Sequence, residues 1–198
     1  MDHIAQIRQS LQKIKSISSE HIETFLPRFI HQPLKKNDFL LKPGQVSNFM
    51  TVVLTGSFRL YRPDESGDHT LHFFIENEWV ADHESFVVQK PSENFIQAME
   101  HSEVANISLK DIHELIHNQP NFLALFRVME NWSVSTALHL SIKNQSPDDR
   151  YKLLLEKHPH WINRFPQMYI ASYLGMTPET FSRVKNRARI SRQFSQPV

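Results

Sequence analysis

Residues 169–184 read YIASYLGMTPETFSRV. Ala171 is small, Gly175 follows four positions later, and apolar residues flank the pair. Two helices that cross closely need a small residue at the crossing. They also need a glycine in the turn, where the backbone goes left-handed. Ile170, Leu174, Met176, Phe181 and Val184 fall where the core between two such helices belongs. Thr177 is placed to cap the second helix, and Pro178 to be its first residue. A lone alanine–glycine pair would carry little weight, but here the whole set is in register. The spacing predicts a helix-turn-helix.

The second helix of this motif presents Glu179, Thr180, Ser182, Arg183, Asn186 and Arg187 on its exposed face. Glutamate can accept from cytosine, arginine can grip guanine with two bonds, and hydroxyls can reach phosphates. A plain helical hairpin with a solvated polar face is the alternative. Charge favours the DNA-reading arrangement. Nine Lys and Arg against four Asp and Glu, from Pro147 to the end, give that stretch +5. The chain as a whole carries +1, so the rest carries −4. A basic module on a mildly acidic body points to a polyanionic partner, and chance clustering is the competing reading.

Outward from the motif, the chain changes period twice. Residues 1–30 are expected to be helical, with Ile4, Ile7, Leu11 and Ile14 at the helical step and a second run, HIETFLPRF, ending near Pro27. From about 34 to 108 the sequence reads as short strands. Turns are expected at Pro43-Gly44, at Gly56 and near Ser66-Gly67-Asp68, and the pattern is that of a small antiparallel barrel or roll. LKDIHELIHNQ then predicts a short helix, with Ser108 as N-cap and Asp111 three residues on. From Asn121 to about Asn144 no glycine or proline interrupts a helical pattern of roughly 24 residues, about 36 Å long. Such a helix packs against a second copy of the chain or covers the sheet, and the pattern fits both. Gln145-Ser146-Pro147-Asp148-Asp149 breaks it and starts another helix with two acids in its first turn.

Composition narrows the function classes. The absence of cysteine excludes disulfides, cysteine-ligated zinc, iron–sulfur clusters and thiol nucleophiles, and fits a cytoplasmic protein. No apolar run approaches the roughly 20 residues of a membrane span, so no membrane partner is expected. The amphipathic start, MDHIAQIRQSLQKIKS, lacks a signal-peptide core. Four glycines leave no phosphate-cradling loop, and no nucleophile elbow is present, so no catalytic residue, enzyme activity or cofactor is expected.

With these residues in place, the whole chain resembles the Crp–Fnr superfamily of bacterial transcription regulators. The stretch FLLKPGQVSNFMTVVLTGSFRLYR is similar to the family's β-roll, and PETFSRV to its recognition helix. The resemblance implies an α+β chain in three parts. Residues 1–120 would be an antiparallel β-roll (a double-stranded β-helix, or cupin-like jelly roll) with N-terminal helices. Residues 121–146 would form a dimerisation helix, and 147–198 a winged helix-turn-helix. It also implies a homodimer on a near-palindromic double-stranded DNA site, with RNA polymerase as a further partner. Glu179, Ser182 and Arg183 would read bases, and Thr177 and Thr180 would contact phosphates.

Two departures from the family pattern matter. Cyclic-nucleotide-binding members carry Gly-Glu and, later, an Arg followed by Ser or Thr. Here Ala81-Asp82 stands at the first position and Ser92-Glu93 near the second, and no arginine lies between Arg62 and Arg127. A phosphate there would meet Asp82, Glu84 and Glu93 with only Lys90 in compensation. Cyclic AMP and cyclic GMP are therefore not expected as effectors. A degenerate effector pocket would involve Phe74, Trp79, Ala81, Asp82, Ser92 and Glu93, taking an unknown small molecule or nothing. At the C-terminus only about ten residues follow the recognition helix, so the wing is expected to be short or missing. The alternative from another class is a cupin-like metal-dependent enzyme with a helical appendage. Its site needs His-x-His, whereas His69 and His72 are three apart and face opposite sides of a strand, so no metal is expected. His158-Pro159-His160 reads as a surface turn.

Overall fold

The computed structural model describes residues 3–13, 18–65, 67–118 and 145–194. The chain divides into two compact units, residues 1–62 with 72–134, and 63–71 with 135–198. The expected long helix from 121 to 144, Ser66 of the expected hairpin turn, and Ile14 lie outside the described residues.

The first unit opens with α1 (His3–Gln12), α2 (Ser19–Phe25) and a 3₁₀ turn (Leu26–Arg28) that holds Pro27. Eight strands follow: β1 (Ile30–Leu34), β2 (Phe39–Leu41), β3 (Phe49–Thr55), β4 (Phe58–Asp64), β5 (Gly67–Phe74), β6 (Trp79–Val80), β7 (Phe95–Ala98) and β8 (Ser102–Ser108). They form two four-stranded sheets, β1-β8-β3-β6 and β2-β7-β4-β5. This is the expected antiparallel roll, starting four residues earlier than the sequence reading placed it.

The alternation of β3 explains why its apolar run is continuous. Met50, Val52 and Leu54 point to one face and join Ile7, Leu11, Ile22 and Phe25 of the first two helices. Val53 points the other way, into the space between the sheets, with Phe58, Phe74, Ile96 and Val104. A strand buried on both faces needs apolar residues at consecutive positions. Two short helices interrupt or close the roll, α3 (His83–Val88) and α4 (Leu109–Asn118). The N-cap at the start of α4 forms as expected. Ser108 Oγ accepts from the Asp111 amide at 3.0 Å and donates to its carboxylate.

In the second unit, Ser146 caps α5 (Pro147–Lys157), with Pro147 at its first position and its hydroxyl accepting from the Asp149 amide at 3.2 Å. Then come α6 (Trp161–Arg164), α7 (Gln167–Tyr173) and α8 (Pro178–Phe194). The core of this unit is Tyr151, Leu154, Trp161, Phe165, Ile170, Leu174, Phe181 and Val184, all buried. Where the wing was expected to be short or missing, α8 continues through Phe194.

Candidate functional site

The junction between α7 and α8 realises the spacing of the sequence bond by bond. The Gly175 amide donates to the Ser172 carbonyl at 3.0 Å, and the Met176 amide to the Ala171 carbonyl at 2.9 Å. This pair of bonds is the Schellman ending of a helix, which needs a left-handed residue between them, and Gly175 has φ +62°. Ala171 is fully buried, so the helices meet where a larger side chain would hold them apart. Thr177 then accepts from the Thr180 amide at 3.2 Å and caps α8, with Pro178 as its first residue. Arg150, on α5, donates to the carbonyls of Leu174 and Gly175 at 2.9 and 3.1 Å. This clamp is invisible in the sequence, since Arg150 lies 24 residues before Leu174.

This frame sets one face of α8 outward. Thr177, Glu179, Ser182, Arg183, Asn186 and Arg187 are exposed and Thr180 is half-buried, while Phe181 and Val184 are buried beneath them. Arg183 Nη2 donates to Thr180 Oγ1 at 3.1 Å. The Glu179 carboxyl is held below the usual carboxylate range, first by its own backbone amide, then by Thr177 and the nearby Arg183. Arg187 is engaged within the chain, making a two-pronged pair with Asp148 at 2.6 and 3.2 Å. It must release Asp148 before it can grip anything else with both prongs.

Pro159 and His160 form the expected exposed turn, but His158 is half-buried. It stacks on Trp161 with ring centres 3.9 Å apart and planes 11° apart. Burial, then the nearby Lys157 and His160, pushes its imidazole down to about 4 from 6.5. Between those values the unfolded chain binds the proton and the folded chain does not, so stability falls as pH falls through this window. We expect His158→Phe to remove about 1 kcal/mol of the loss between pH 6.5 and 5, a figure discounted for partial exposure. Urea unfolding of both proteins across that range measures the difference.

In the roll, the six residues expected to line an effector pocket are spread over different surroundings. Phe74 lies between the sheets, whereas Trp79 and Ala81 join the helix-covered cluster on the other side. Asp82 and Ser92 do meet. The Asp82 carboxylate is buried and accepts from Ser92 Oγ at 2.6 Å, Asn94 Nδ2 at 2.8 Å and the Ser85 amide at 3.3 Å, capping α3. Glu93 is exposed and pairs with Arg62 at 3.1 Å, and Arg62 Nε donates to Asn94 at 2.9 Å. Arg62 was missed because it is remote in sequence. The β4–β7 register, with Tyr61 opposite Phe95, brings it there. The roll also holds a cavity of about 500 Å³ walled by Leu40, Val46, Ala81, Ile96 and the linked polar groups of Thr51 and Asn106. Of the six expected residues it includes Ala81 alone.

His69 and His72 carry no shared ligand geometry. His69 pairs with Asp64 at 2.8 Å, and the His72 ring meets Phe74 edge-on. Among the described residues, no helix is long and apolar enough to cross a membrane.

Residues 31–119 match the family model of the cyclic nucleotide-binding domain. No curated protein sequence matches the chain. Among solved structures, the chain is similar to FixK2 of Bradyrhizobium japonicum, with TM-score 0.71 and 14% identity over 82% of this chain and 85% of that one. It is also similar to the c-di-GMP-responsive global regulator CLP of Xanthomonas campestris, with TM-score 0.66 and 17% identity over 88% and 93%. A third is a protein of Eubacterium rectale described as a transcriptional regulator of the Crp/Fnr family, with TM-score 0.64 and 15% identity over 89% and 86%. At these identities the likeness is one of fold.

Proposed function

We propose that this chain, which carries a cyclic nucleotide-binding-type domain and shares the fold of Crp/Fnr regulators, is a divergent member of that family and a sequence-specific DNA-binding transcription regulator. The observation that carries the reading is the α7–α8 junction. A close-crossing helix pair, ended by a glycine turn and restarted by a threonine cap, sets a polar and basic face outward over a buried core. In this reading α8 enters the major groove by its N-terminal end, with Glu179, Ser182 and Arg183 at base edges and Thr177 and Thr180 at phosphates. The chain acts as a homodimer on a two-fold site in the cytoplasm, and RNA polymerase is the partner through which it regulates. Structural neighbours that are regulators, and His69 and His72 engaged apart from each other, weigh against the cupin-like enzyme.

The first test is selection of bound DNA from a random pool at near-physiological salt with no effector. An inverted repeat with half-sites about one helical turn apart is expected. No enriched sequence, with or without added cell metabolites, would refute the reading. On the selected site, Arg183→Ala should weaken binding by about 1–3 kcal/mol and relax preference at one base position. Equal loss on all sequences would instead make Arg183 a phosphate contact.

Cyclic AMP and cyclic GMP are not the effectors. The family model describes the roll, but Ser92 and Asn94, near the position of the family's arginine, are hydrogen-bonded to the buried Asp82 carboxylate, which takes up three donors. Arg62, the cation missed in the sequence, is already committed to Glu93 and Asn94. A phosphate brought there would face a buried like charge. Competition against a fluorescent cyclic nucleotide should show no Kd below about 1 mM, and micromolar binding would overturn this reading of the site.

A further inference from the structure

We propose that His3, His31 and Glu103 form a binding site for one divalent transition-metal ion, Zn²⁺ by donor set, and that the ion ties the N-terminal helix to the roll. The three residues come from three elements, and strand register brings two of them together. β1 and β8 pair with His31 opposite Ala105 and Pro33 opposite Glu103. His31 and Glu103 are therefore diagonal neighbours on one face of the sheet. That face also carries Ala105 and Ile107, against which α1 packs through Ile7 and Leu11. The helix thereby sets its first residue, His3, over the same spot.

The donor atoms already converge. Nε2 of His3 is 3.0 Å from Glu103 Oε2, and Nε2 of His31 is 3.3 Å from the same oxygen. The two rings stack with centres 4.6 Å apart and planes 25° apart. All three ligand atoms lie within 4.8 Å of one another. Tetrahedral zinc, with bonds of about 2.0–2.2 Å, separates its ligand atoms by roughly 3.3–3.5 Å. The two nitrogen-to-oxygen spacings are already close to that value. Two imidazoles and one carboxylate suit zinc and its first-row neighbours rather than magnesium or calcium, which take oxygen.

The site is also reachable. The three side chains are 28–44% exposed, so an ion can enter and keep a water as its fourth ligand. The sequence did not reveal the set, because 28 residues separate the histidines and 72 separate His31 from Glu103. Those separations also give the ion its consequence. It would close the chain between α1 and β8, and α1 would open less often when metal is bound.

The test uses the untagged full chain, stripped by chelator and titrated with ZnCl₂ against a zinc-competing dye. One ion per chain is expected with a Kd below about 10 μM. His31→Gln and Glu103→Gln should each weaken it by at least about tenfold, the scale on which even outer-shell changes act. His69→Gln, at an unrelated histidine, should leave it unchanged. Amide exchange over residues 4–12 should slow on adding Zn²⁺ to the wild type and not to His31→Gln. Both ligand positions are partly exposed, and circular dichroism checks that the variants fold. No stoichiometric site, a site undiminished in both ligand variants, or equal loss in His69→Gln overturns the proposal. None of these outcomes depends on whether the chain reads DNA.

Discussion

Gly56→Ala should destabilise the roll by about 3–5 kcal/mol, the largest effect we expect of any single methyl group in this chain. Gly56 sits between β3 and β4 with φ +86°, where an alanine costs roughly 1–2 kcal/mol in backbone strain alone. Space is the larger obstacle. A Cβ there would stand 2.1 Å from Ser102 Oγ, 2.7 Å from Ser102 Cβ and 2.8 Å from the His101 carbonyl oxygen. Ser102 is fully buried, and its hydroxyl accepts from the Ser57 amide and donates to the Glu100 carbonyl. Moving it therefore breaks two hydrogen bonds in a place water does not reach. Thermal and urea unfolding measure the loss. Adding Ser102→Gly should recover part of it, because the serine side chain is gone. Full recovery would contradict the account, since the strain and the His101 carbonyl remain.

How far the sequence disclosed this arrangement depended on whether the information was local. The turn of the α7–α8 junction was readable because a small residue, a glycine, a threonine and a proline follow one another within eight residues, from Ala171 to Pro178. The same holds for the caps at Ser108 and Ser146, where a side chain reaches an amide three residues on. The roll was legible as alternating short strands, but the face each side chain takes was not. Phe74 and Trp79 were placed in one pocket, and the structure puts them on opposite sides of a sheet. Pairing decides such questions, and it joins residues far apart in sequence. Strand pairing brings Arg62 to Asn94, and helix packing brings Arg150 to the turn at Gly175 and His3 to Glu103. His158 failed for a related reason. A His-Pro-His turn is polar in sequence, and the burial of the ring, which stacks on Trp161, with Lys157 and His160 nearby, makes the imidazole hard to charge.

Phe181→Ala should cost the C-terminal unit about 3–5 kcal/mol and, through that loss, abolish specific DNA binding. Phe181 is fully buried on the inner face of α8, with its ring edge-on to Tyr151 of α5 at 5.7 Å between centres. Removing it leaves a cavity where α5, α7 and α8 meet, and a unit this small has few other large groups to close it. Most domains hold only about 5–15 kcal/mol in total, so the residual stability would be marginal. The contrast with Arg183→Ala separates structure from reading. Arg183 is exposed two residues further along the same helix, and its loss should leave unfolding within about 0.5 kcal/mol of wild type while weakening the selected site. Urea unfolding and DNA titration on the two variants give a double dissociation. If Phe181→Ala kept full affinity, the helix pair would not be the frame that aims α8. If Arg183→Ala lost stability as well as affinity, its bond to Thr180 would be holding the helix start rather than standing ready for a base.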